Sequence, residues 1–203
     1  MSDLPATGPI GMTGGTSSAI EEVAADPRVC AIWLERLRAS VEEFNQYRKD
    51  NPEEPVALVS ADLRGVALGG ADLHGAKLFE ANLAWENLEG ANLAGADLRR
   101  CNLEGSNLAG ACLEGAQMEF ANLRHAKLHR ASLREAWLRW AVLESAELRD
   151  ANFTGAYLER AILRDADLRG ATFTAAYLVD ADFRWAQYDT ASFAQADMTR
   201  TLL

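Results

Sequence analysis

The side chains that most often carry out chemistry are few in this chain, and their spacing matches no known reaction centre. The histidines are His74, His125 and His129. None of them belongs to a recognisable metal-binding signature or has a partnered nucleophile. The cysteines, which show neither metal-ligand nor disulfide spacing, are Cys30, Cys101 and Cys112. We therefore expect no catalytic residue, no metal site and no cofactor, and we predict that the protein is not an enzyme.

Acidic and glycine residues are frequent, but they recur at fixed intervals instead of forming a site. Asp and Asn return every five residues, so two neighbouring carboxylates do not indicate an acid–base pair. Glycine also returns at one fixed position of the interval, as in Gly65, Gly70 and Gly75. This regularity predicts turns that need a permissive backbone, not a phosphate-binding loop.

A five-residue repeat explains this regularity and occupies residues 56–203. Thirty central positions run from Leu58 to Leu203, and twenty-three of them are Leu. The position two residues before each centre is Ala in twenty-four of the thirty repeats. A period this strict identifies a repeat architecture before any local motif is considered.

The period predicts a coil made of short strands and corners. Residues two apart in a strand face the same way, so Ala and the central residue both point inward. The next Ala lies three residues after the central residue, and this odd step requires a turn. An α-helix is excluded because a period of five would wind the apolar stripe around the helix. Similar side chains also recur twenty residues apart, as in Phe153, Phe173 and Phe193 or Asn82, Asn102 and Asn122. Four sides per coil are therefore favoured, although Phe183 also permits a period of ten.

The region before the repeat reads as a flexible segment over residues 1–16 and a helical cap with its linker over 17–55. Ser18 begins a capping box that predicts a short helix to about Ala25. Asp26 and Pro27 then start one amphipathic helix of roughly 20–24 residues. Its apolar stripe is expected to cover the open end of the first coil. The expected cap residues are Trp33, Leu37, Val41 and Phe44. A partner-binding or dimer-binding helix is the alternative.

Charge and hydropathy limit the possible partners. The net charge is −10. Residues 56–203 contain twenty acidic and fifteen basic residues, which is not the basic surface of a nucleic-acid-binding protein. No apolar run reaches the ~18 residues of a membrane span, and the amino terminus lacks the pattern of a signal peptide. We expect a cytoplasmic protein that binds neither membranes nor nucleic acid directly.

These repeats resemble those of the pentapeptide-repeat family, which have the form A(D/N)LXX. Ala71-Asp-Leu-His-Gly75 and Ala91-Asn-Leu-Ala-Gly95 are typical examples. The resemblance covers residues 56–203 and implies an all-β solenoid, a right-handed quadrilateral parallel β-helix of about seven coils. The absence of chemistry, the rigid solenoid and a side rich in aromatic residues predict a non-enzymatic scaffold for protein–protein interaction. The resemblance implies the alternative, a DNA mimic that binds DNA gyrase or topoisomerase IV and protects it from quinolones or related inhibitors. The charge of the repeat favours the scaffold over the mimic. About 35 Å of duplex carries roughly twenty negative charges, whereas the twenty acidic and fifteen basic residues of the repeat leave a net charge of −5.

Three departures from the repeat are candidate sites. Glu86 occupies an inward Ala position, so we expect either a local bulge or a polar partner such as Ser106. One side collects aromatic and arginine residues, either as a structural ladder or as a partner interface. The candidate interface residues are Phe120, Trp137, Arg139, Trp140, Tyr157, Arg160 and Tyr177. The last coil is apolar and without a cap, which predicts a homodimer through Phe193, Met198 and Leu203.

Overall fold

The computed structural model describes residues 26–203. The flexible segment predicted over residues 1–16 and the short helix predicted to begin at Ser18 lie outside the described residues. The described chain consists of two helices followed by a coiled array of very short β-bridges that continues to Leu202. Neither helix has the length and apolar character needed to cross a membrane.

The two helices replace the single helix that the sequence predicts. Helix α1 spans Pro27–Ala39 and helix α2 spans Val41–Asp50. Asp26 caps the first helix and Pro27 lies in its first turn, as predicted. The prediction of one continuous helix is wrong because Ser40 adopts an extended conformation, with φ −167° and ψ 136°. Its hydroxyl accepts a hydrogen bond from the Glu43 N–H and thereby starts a second helix.

The repeat folds into a β-helix with four sides. All of its bridges are parallel and join residues twenty apart, from Ala57 and Lys77 to Asp182 and Leu202. Since each side contributes five residues, a step of twenty corresponds to four sides per coil. The ambiguity that Phe183 leaves in the sequence is therefore resolved in favour of four sides. Backbone hydrogen bonds of 2.6–3.3 Å connect each coil to the next.

The interior is filled by the Ala positions and the central residues, as the alternation of side chains predicts. Nearly all of these residues between Val56 and Phe183 have less than a tenth of their surface exposed. The phenyl rings of Phe153 and Phe173 stack with their centroids 4.7 Å apart, and Phe193 continues the stack at 5.1 Å. Parallel, in-register coils make such stacks possible because identical positions lie above one another.

The corners require a left-handed backbone, which explains the recurring glycines. In each turn the N–H of the residue at the Ala position bonds to the carbonyl of the preceding central residue, as between Ala61 and Leu58 at 3.1 Å. The residue before that Ala has a positive φ at every corner from Ser60 to Trp185. Type II turns have the same requirement at their third residue. Gly105 has a second reason, because a Cβ there would lie 2.2 Å from the Trp85 ring.

The Asp and Asn side chains before the central residues have a structural role that the sequence interpretation missed. Their oxygens accept hydrogen bonds from the N–H two residues later, as Asn102 does from Glu104 at 3.3 Å. This local bond stabilises the start of the turn. Amide groups also bond between coils, so Asn122 donates to Asn102 at 3.2 Å and Asn102 donates to Asn82 at 3.3 Å. The Asn residues that recur at twenty-residue steps therefore form a hydrogen-bonded ladder.

The helices lie on the first coil and join its core. Trp33, Leu37 and Phe44 are buried, and Val41 is half-buried against the same cluster. Two polar side chains of α2 also contact the backbone of the first coil. Asn45 donates to the Gly70 carbonyl at 2.9 Å and accepts from the Asp72 N–H at 2.7 Å. The Arg48 guanidinium donates to the His74 carbonyl at 3.1 Å, so side chains take the place that a preceding coil would occupy.

Candidate functional site

The candidate site is the side of the β-helix whose central residues recur at twenty-residue steps from Leu58 to Met198. We call it the aromatic side. In the position before the central residue, Trp137, Tyr157 and Tyr177 stack in successive coils. The Tyr157 and Tyr177 ring centroids are 4.9 Å apart and the ring planes differ by 2°. Trp137 lies 4.9 Å from Tyr157 with a tilt of 35°. The predicted column of stacked rings is therefore present.

A second aromatic column lies at the corner of the same side. The Phe120 and Trp140 rings are parallel within 6° and their centroids are 6.3 Å apart. The Arg160 guanidinium lies 4.6 Å from the Trp140 ring centroid, and that of Arg139 lies 5.6 Å from the Trp137 centroid. Both contacts fall within the range of cation–π attraction. The structure thus brings all seven predicted interface residues onto one side.

The rings remain accessible although they stack. Phe120, Trp137, Trp140 and Tyr177 have between 40% and 56% of their surface exposed. Stacking covers part of the surface of each ring, and the rest faces solvent. Tyr157, in the middle of its column, is half-buried. Contiguous exposed aromatic surface with arginine is typical of sites where proteins bind one another.

Ion pairs hold the arginines of this side in place. Arg139 pairs with Glu159 in the next coil at 3.2 Å, since opposite charges occupy positions twenty residues apart here. Arg160 pairs with Asp180 at 3.5 Å, and Asp180 also pairs with Arg200. Two arginine contacts hold the pKa of the Asp180 carboxyl below its usual range. The surface therefore combines apolar rings with neutralised, hydrogen-bonded charges.

On the neighbouring side, charges of alternating sign recur at twenty-residue steps in Glu104, Arg124, Glu144 and Arg164, but only some of them pair along this column. Arg124 pairs with Glu144 in the next coil at 3.0 Å. Arg164 instead pairs with Asp182, whose carboxyl also binds Arg184 at 2.7 Å. The two guanidinium groups, with Arg184 contributing most, lower the pKa of Asp182 strongly. An arginine such as Arg164 can therefore pair with the Asp of the neighbouring column in the next coil instead of with a residue of its own column.

The corner at Glu86 combines both expected outcomes, but with a different partner. In the described residues no bridge joins Ala67 and Asn87, so the ladder is interrupted on this side. The half-buried Glu86 carboxylate accepts a hydrogen bond from the Gly65 N–H in the coil below. Ser106, which the sequence suggests as a partner, donates instead to the Leu103 carbonyl at 2.8 Å. The Glu86 carboxylate thus serves as the acceptor for a backbone N–H where the ladder is interrupted.

The potentially reactive side chains do not converge on a centre. Burial raises the pKa of the Cys101 thiol to about 12, which keeps it protonated and unreactive. Two histidines form carboxylate contacts that the sequence did not reveal: His74 with Asp72 at 2.9 Å and His129 with Glu147 at 2.8 Å. Within residues 26–203 no group of three or more metal-ligating side chains is close enough to hold a metal ion.

The last coil has an exposed edge. The central residues Phe193 and Met198 are only half-buried, and Leu203 has 62% of its surface exposed. Within the described residues, the N–H groups of Tyr188, Phe193 and Met198 make no backbone hydrogen bond. The equivalent groups one coil earlier all bond to the coil that follows. The three residues predicted for a dimer contact thus lie on an apolar surface with unpaired strand edges.

Comparison with known proteins agrees with the repeat architecture. The sequence profile described as pentapeptide repeats matches in eight copies, over residues 58–85 and, in overlapping segments, over residues 87–186. A sequence search among curated proteins found no match.

Several solved structures are similar to the chain. HetL, a pentapeptide repeat protein involved in heterocyst differentiation regulation in the cyanobacterium Nostoc, is 31% identical. The match covers 71% of this chain and 73% of HetL, with a TM-score of 0.38. A trypsin-treated variant of QnrB1, a plasmid-mediated fluoroquinolone resistance protein, is 20% identical over 59% of this chain and 66% of that one, with a TM-score of 0.38. Rfr23 from the cyanobacterium Cyanothece is 30% identical over 57% and 63% of the two chains, with a TM-score of 0.25.

Proposed function

The chain belongs to the pentapeptide-repeat family, and from this premise we propose that it is a non-enzymatic scaffold whose aromatic side binds a protein partner. Proteins of this family form right-handed β-helix solenoids. Such a solenoid presents a rigid surface that loses little conformational entropy on binding. In this proposal the array has about seven coils, and helices α1 and α2 cap its first coil.

The observation that carries the proposal is the exposure of ordered aromatic rings beside ordered arginines. Trp, Tyr and Arg are the residues that most often dominate the energetics of protein interfaces. Trp137 and Trp140 remain 40% and 45% exposed although both stack on neighbouring rings. A ladder that served only the fold would gain more stability by burying these rings. The remaining exposed area is available to a partner.

We expect the double substitution Trp137→Ala/Trp140→Ala to weaken partner binding by roughly thirtyfold or more. The reason is that truncation of a central aromatic residue typically costs about 2 kcal/mol or more of binding free energy, or roughly thirtyfold in affinity. The measurement compares partner recovery on immobilised wild-type and variant protein from an extract, followed by titration of the recovered partner. Equal recovery and equal affinity would show that the rings are only structural.

The matched control is Trp85→Ala/Trp185→Ala, which removes two tryptophans that do not lie on the aromatic side. Trp85 and Trp185 are 69% and 71% exposed, so their loss changes the exposed apolar surface at least as much. We expect this control to retain the partner. Thermal unfolding of both variants separates a loss of binding from a loss of stability.

The alternative function, protection of a type II topoisomerase by DNA mimicry, requires negative charge along at least one side. The aromatic side carries six acidic and six basic residues, and the side that follows it along the chain carries five and four. The third side carries six acidic and four basic residues, and the fourth carries three and one. A duplex of ~35 Å carries roughly twenty negative charges, so no side approaches a phosphate backbone. The distribution of charge favours the scaffold.

We accordingly expect no effect in a supercoiling assay with purified DNA gyrase, with and without a quinolone. The physical reason is that the acidic groups are balanced by arginines, several of them in direct ion pairs such as Arg139 with Glu159. The assay is run up to a large molar excess of this protein. Inhibition of supercoiling, or protection from the drug, would replace the scaffold proposal by the mimic.

We also propose that the protein is a homodimer that forms through the edge of its last coil. The unpaired N–H groups of Tyr188, Phe193 and Met198 support this, because pairing with a second copy would satisfy them. The exposed side chains of Leu202 and Leu203 would be covered at the same time. A twofold contact between identical edges closes on itself and does not produce filaments.

We expect Met198→Asp to convert this dimer into a monomer, because a carboxylate would be buried without a partner in the contact. Sedimentation at micromolar concentration should show the mass fall by half. Thr199→Asp, at an exposed neighbouring position, is the control that should leave the mass unchanged. A wild-type protein that is already monomeric, with a mass unaffected by removal of residues 191–203, would contradict the dimer.

A further inference from the structure

One carboxylate of the aromatic side takes no part in the ion pairs of that side. Glu119 lies one coil below Arg139, as the 3.1 Å hydrogen bond from the Phe120 N–H to the Arg139 carbonyl shows. Arg139 pairs with Glu159 in the coil above it. Within residues 26–203 Glu119 makes no ion pair, and its Oε2 atom is buried without a hydrogen bond. The aromatic side therefore contains a negative charge without a matching cation.

The fold does not require a charge at Glu119. The same column of the aromatic side accommodates the apolar residues Phe79 and Val179. An ionised oxygen that is withdrawn from water without a hydrogen bond destabilises the folded chain. The second oxygen of Glu119, Oε1, is not enclosed in this way, so a cation from outside can approach it. A cation at Oε1 would compensate for the hydration that the carboxylate has lost.

Aromatic rings stand around the Glu119 carboxylate. Phe120 follows it in the chain, and the parallel ring of Trp140 lies one coil above Phe120. Gln117 precedes it on the same outward face, and Trp137 lies one coil above Gln117. All three rings are partly exposed. Because the face of an aromatic ring attracts a cation, rings beside an unpaired carboxylate fit a cationic side chain.

The column of Trp137 begins at this level, so no ring lies beneath Trp137. The residue one coil below it is Gln117. The Arg139 guanidinium lies 5.6 Å from the Trp137 centroid and 5.8 Å from that of Tyr157 in the coil above, toward its partner Glu159. The lower face of Trp137, on the side of Glu119, thus meets neither a ring of the column nor the ion pair above it.

The rings of this side already accommodate guanidinium groups. Arg160 lies 4.6 Å from the Trp140 centroid, closer than Arg139 lies to Trp137. A guanidinium is planar, stacks on aromatic faces and binds a carboxylate through two parallel hydrogen bonds. An ammonium group is compact and more strongly hydrated, so it gains less from the rings. The net charge of −10 also attracts a cationic segment toward the protein.

We propose that the partner of the aromatic side presents an arginine side chain that pairs with Glu119 and stacks against the rings of Trp137 and Phe120. This inference rests on the proposed scaffold function and specifies the chemistry of its partner. Charge complementarity with Glu119 distinguishes the arginine from an uncharged apolar segment, which would leave the carboxylate buried and unpaired. The rings distinguish it from a lysine.

Titration with the peptide acetyl-Gly-Arg-Gly-amide tests the site without the natural partner. Binding is followed by the nitrogen–proton NMR signals of the tryptophan indoles, assigned with single substitutions. We expect the signals of Trp137 and Trp140 to shift, and those of Trp85 and Trp185, which lie on another side, to stay in place. A peptide with citrulline has nearly the same shape without the charge and should bind roughly tenfold more weakly or less. The lysine peptide should bind more weakly than the arginine peptide.

The decisive variant is Glu119→Gln, which should weaken binding of the arginine peptide by roughly fivefold or more. Glu114→Gln removes the same charge from the same coil and repeat position on a different side, and should leave the affinity unchanged. Glu119→Gln should unfold at the wild-type temperature or above it, because the desolvated charge is gone. Loss of binding is then not a loss of the fold.

Several results would overturn the arginine proposal. They are equal affinity of wild type and Glu119→Gln, equal affinity for the arginine and citrulline peptides, or tighter binding of the lysine peptide. Equal shifts at Trp85 and Trp185 would also overturn it, because they would indicate general attraction to an acidic protein. So would the absence of any shift at the highest soluble concentration of the arginine peptide.

The natural partner separates this proposal from the scaffold function. If Trp137→Ala/Trp140→Ala loses the partner but Glu119→Gln binds it with wild-type affinity, the aromatic side is an interface and the arginine proposal fails. If both variants bind the partner as the wild type does, the scaffold proposal fails as well. Weaker partner binding by both variants, with Glu114→Gln unchanged, is the result that we expect.

Discussion

Phe173→Ala should lower the free energy of unfolding by about 3–5 kcal/mol, because a fully buried phenyl ring is removed and the rigid coils leave a cavity. Phe173 has no exposed surface. Its ring stacks between those of Phe153 and Phe193 and meets the edge of Phe183 at 5.7 Å. Three aromatic side chains therefore lose packing when this one is truncated. Chemical denaturation followed by circular dichroism measures the effect.

Phe193→Ala is the control in the same column. Its ring is half-buried and has neighbours in the coil below but none in the described chain above. Surrounding solvent can fill part of the space that the truncation leaves, so the loss of stability should be clearly smaller. The comparison is made at a protein concentration at which sedimentation shows a monomer, because the proposed dimer contact would bury Phe193. Equal losses for the two substitutions in the monomer would mean that the last coil is as well packed as the interior, contrary to its exposure.

The second large effect is expected for Arg48→Met, which should detach the helices from the first coil. Arg48 is 3% exposed, and its guanidinium donates to the carbonyls of Glu54 and His74 at 2.8 and 3.1 Å. Methionine fills part of the same volume but leaves both carbonyls without their donor. Each unsatisfied group costs about 1–3 kcal/mol, so two of them give an expected loss of about 2–6 kcal/mol.

Amide hydrogen exchange locates this loss. Protection in helix α2 should fall in the Arg48→Met variant, while the bridges of the central coils keep their protection. Lys49→Met removes a positive charge from the next position of the same helix, where the side chain is exposed, and should have little effect. Unchanged protection of α2 in both variants would show that apolar packing of Trp33 and Phe44 suffices to hold the helices.

The period of the sequence predicted the β-helix and the columns of the aromatic side, and the reason is geometric. When similar residues recur every twenty residues, residues such as Tyr157 and Tyr177 must lie above one another in a parallel coil. Stacking and exposure then follow from their outward positions. That a partner binds there does not follow from the period, since the same columns also stabilise the fold.

The helical region was predicted less well because its polar residues decide its details. The apolar stripe correctly indicated Trp33, Leu37 and Phe44 as buried residues. The stripe continues through Ser40, however, and gives no sign that its hydroxyl ends one helix and caps another. Asn45 and Arg48 also escape a pattern based on hydrophobicity, because they bond to backbone atoms more than twenty residues away. Polar contacts between residues so far apart leave no periodic signal in the sequence.

The bridges that join residues twenty apart also have a consequence for how proteins of this kind change size. Removing or duplicating a block of twenty residues between two corners would return every side chain to the same side of the coil. A change of five residues would instead rotate all later residues by one side and separate Phe120 from Trp140 and Trp137 from Tyr157. The β-helix can therefore grow or shrink by whole coils without disturbing the pattern of its sides. Duplication of such a block would lengthen a binding surface on one side and leave the arrangement of the other sides intact.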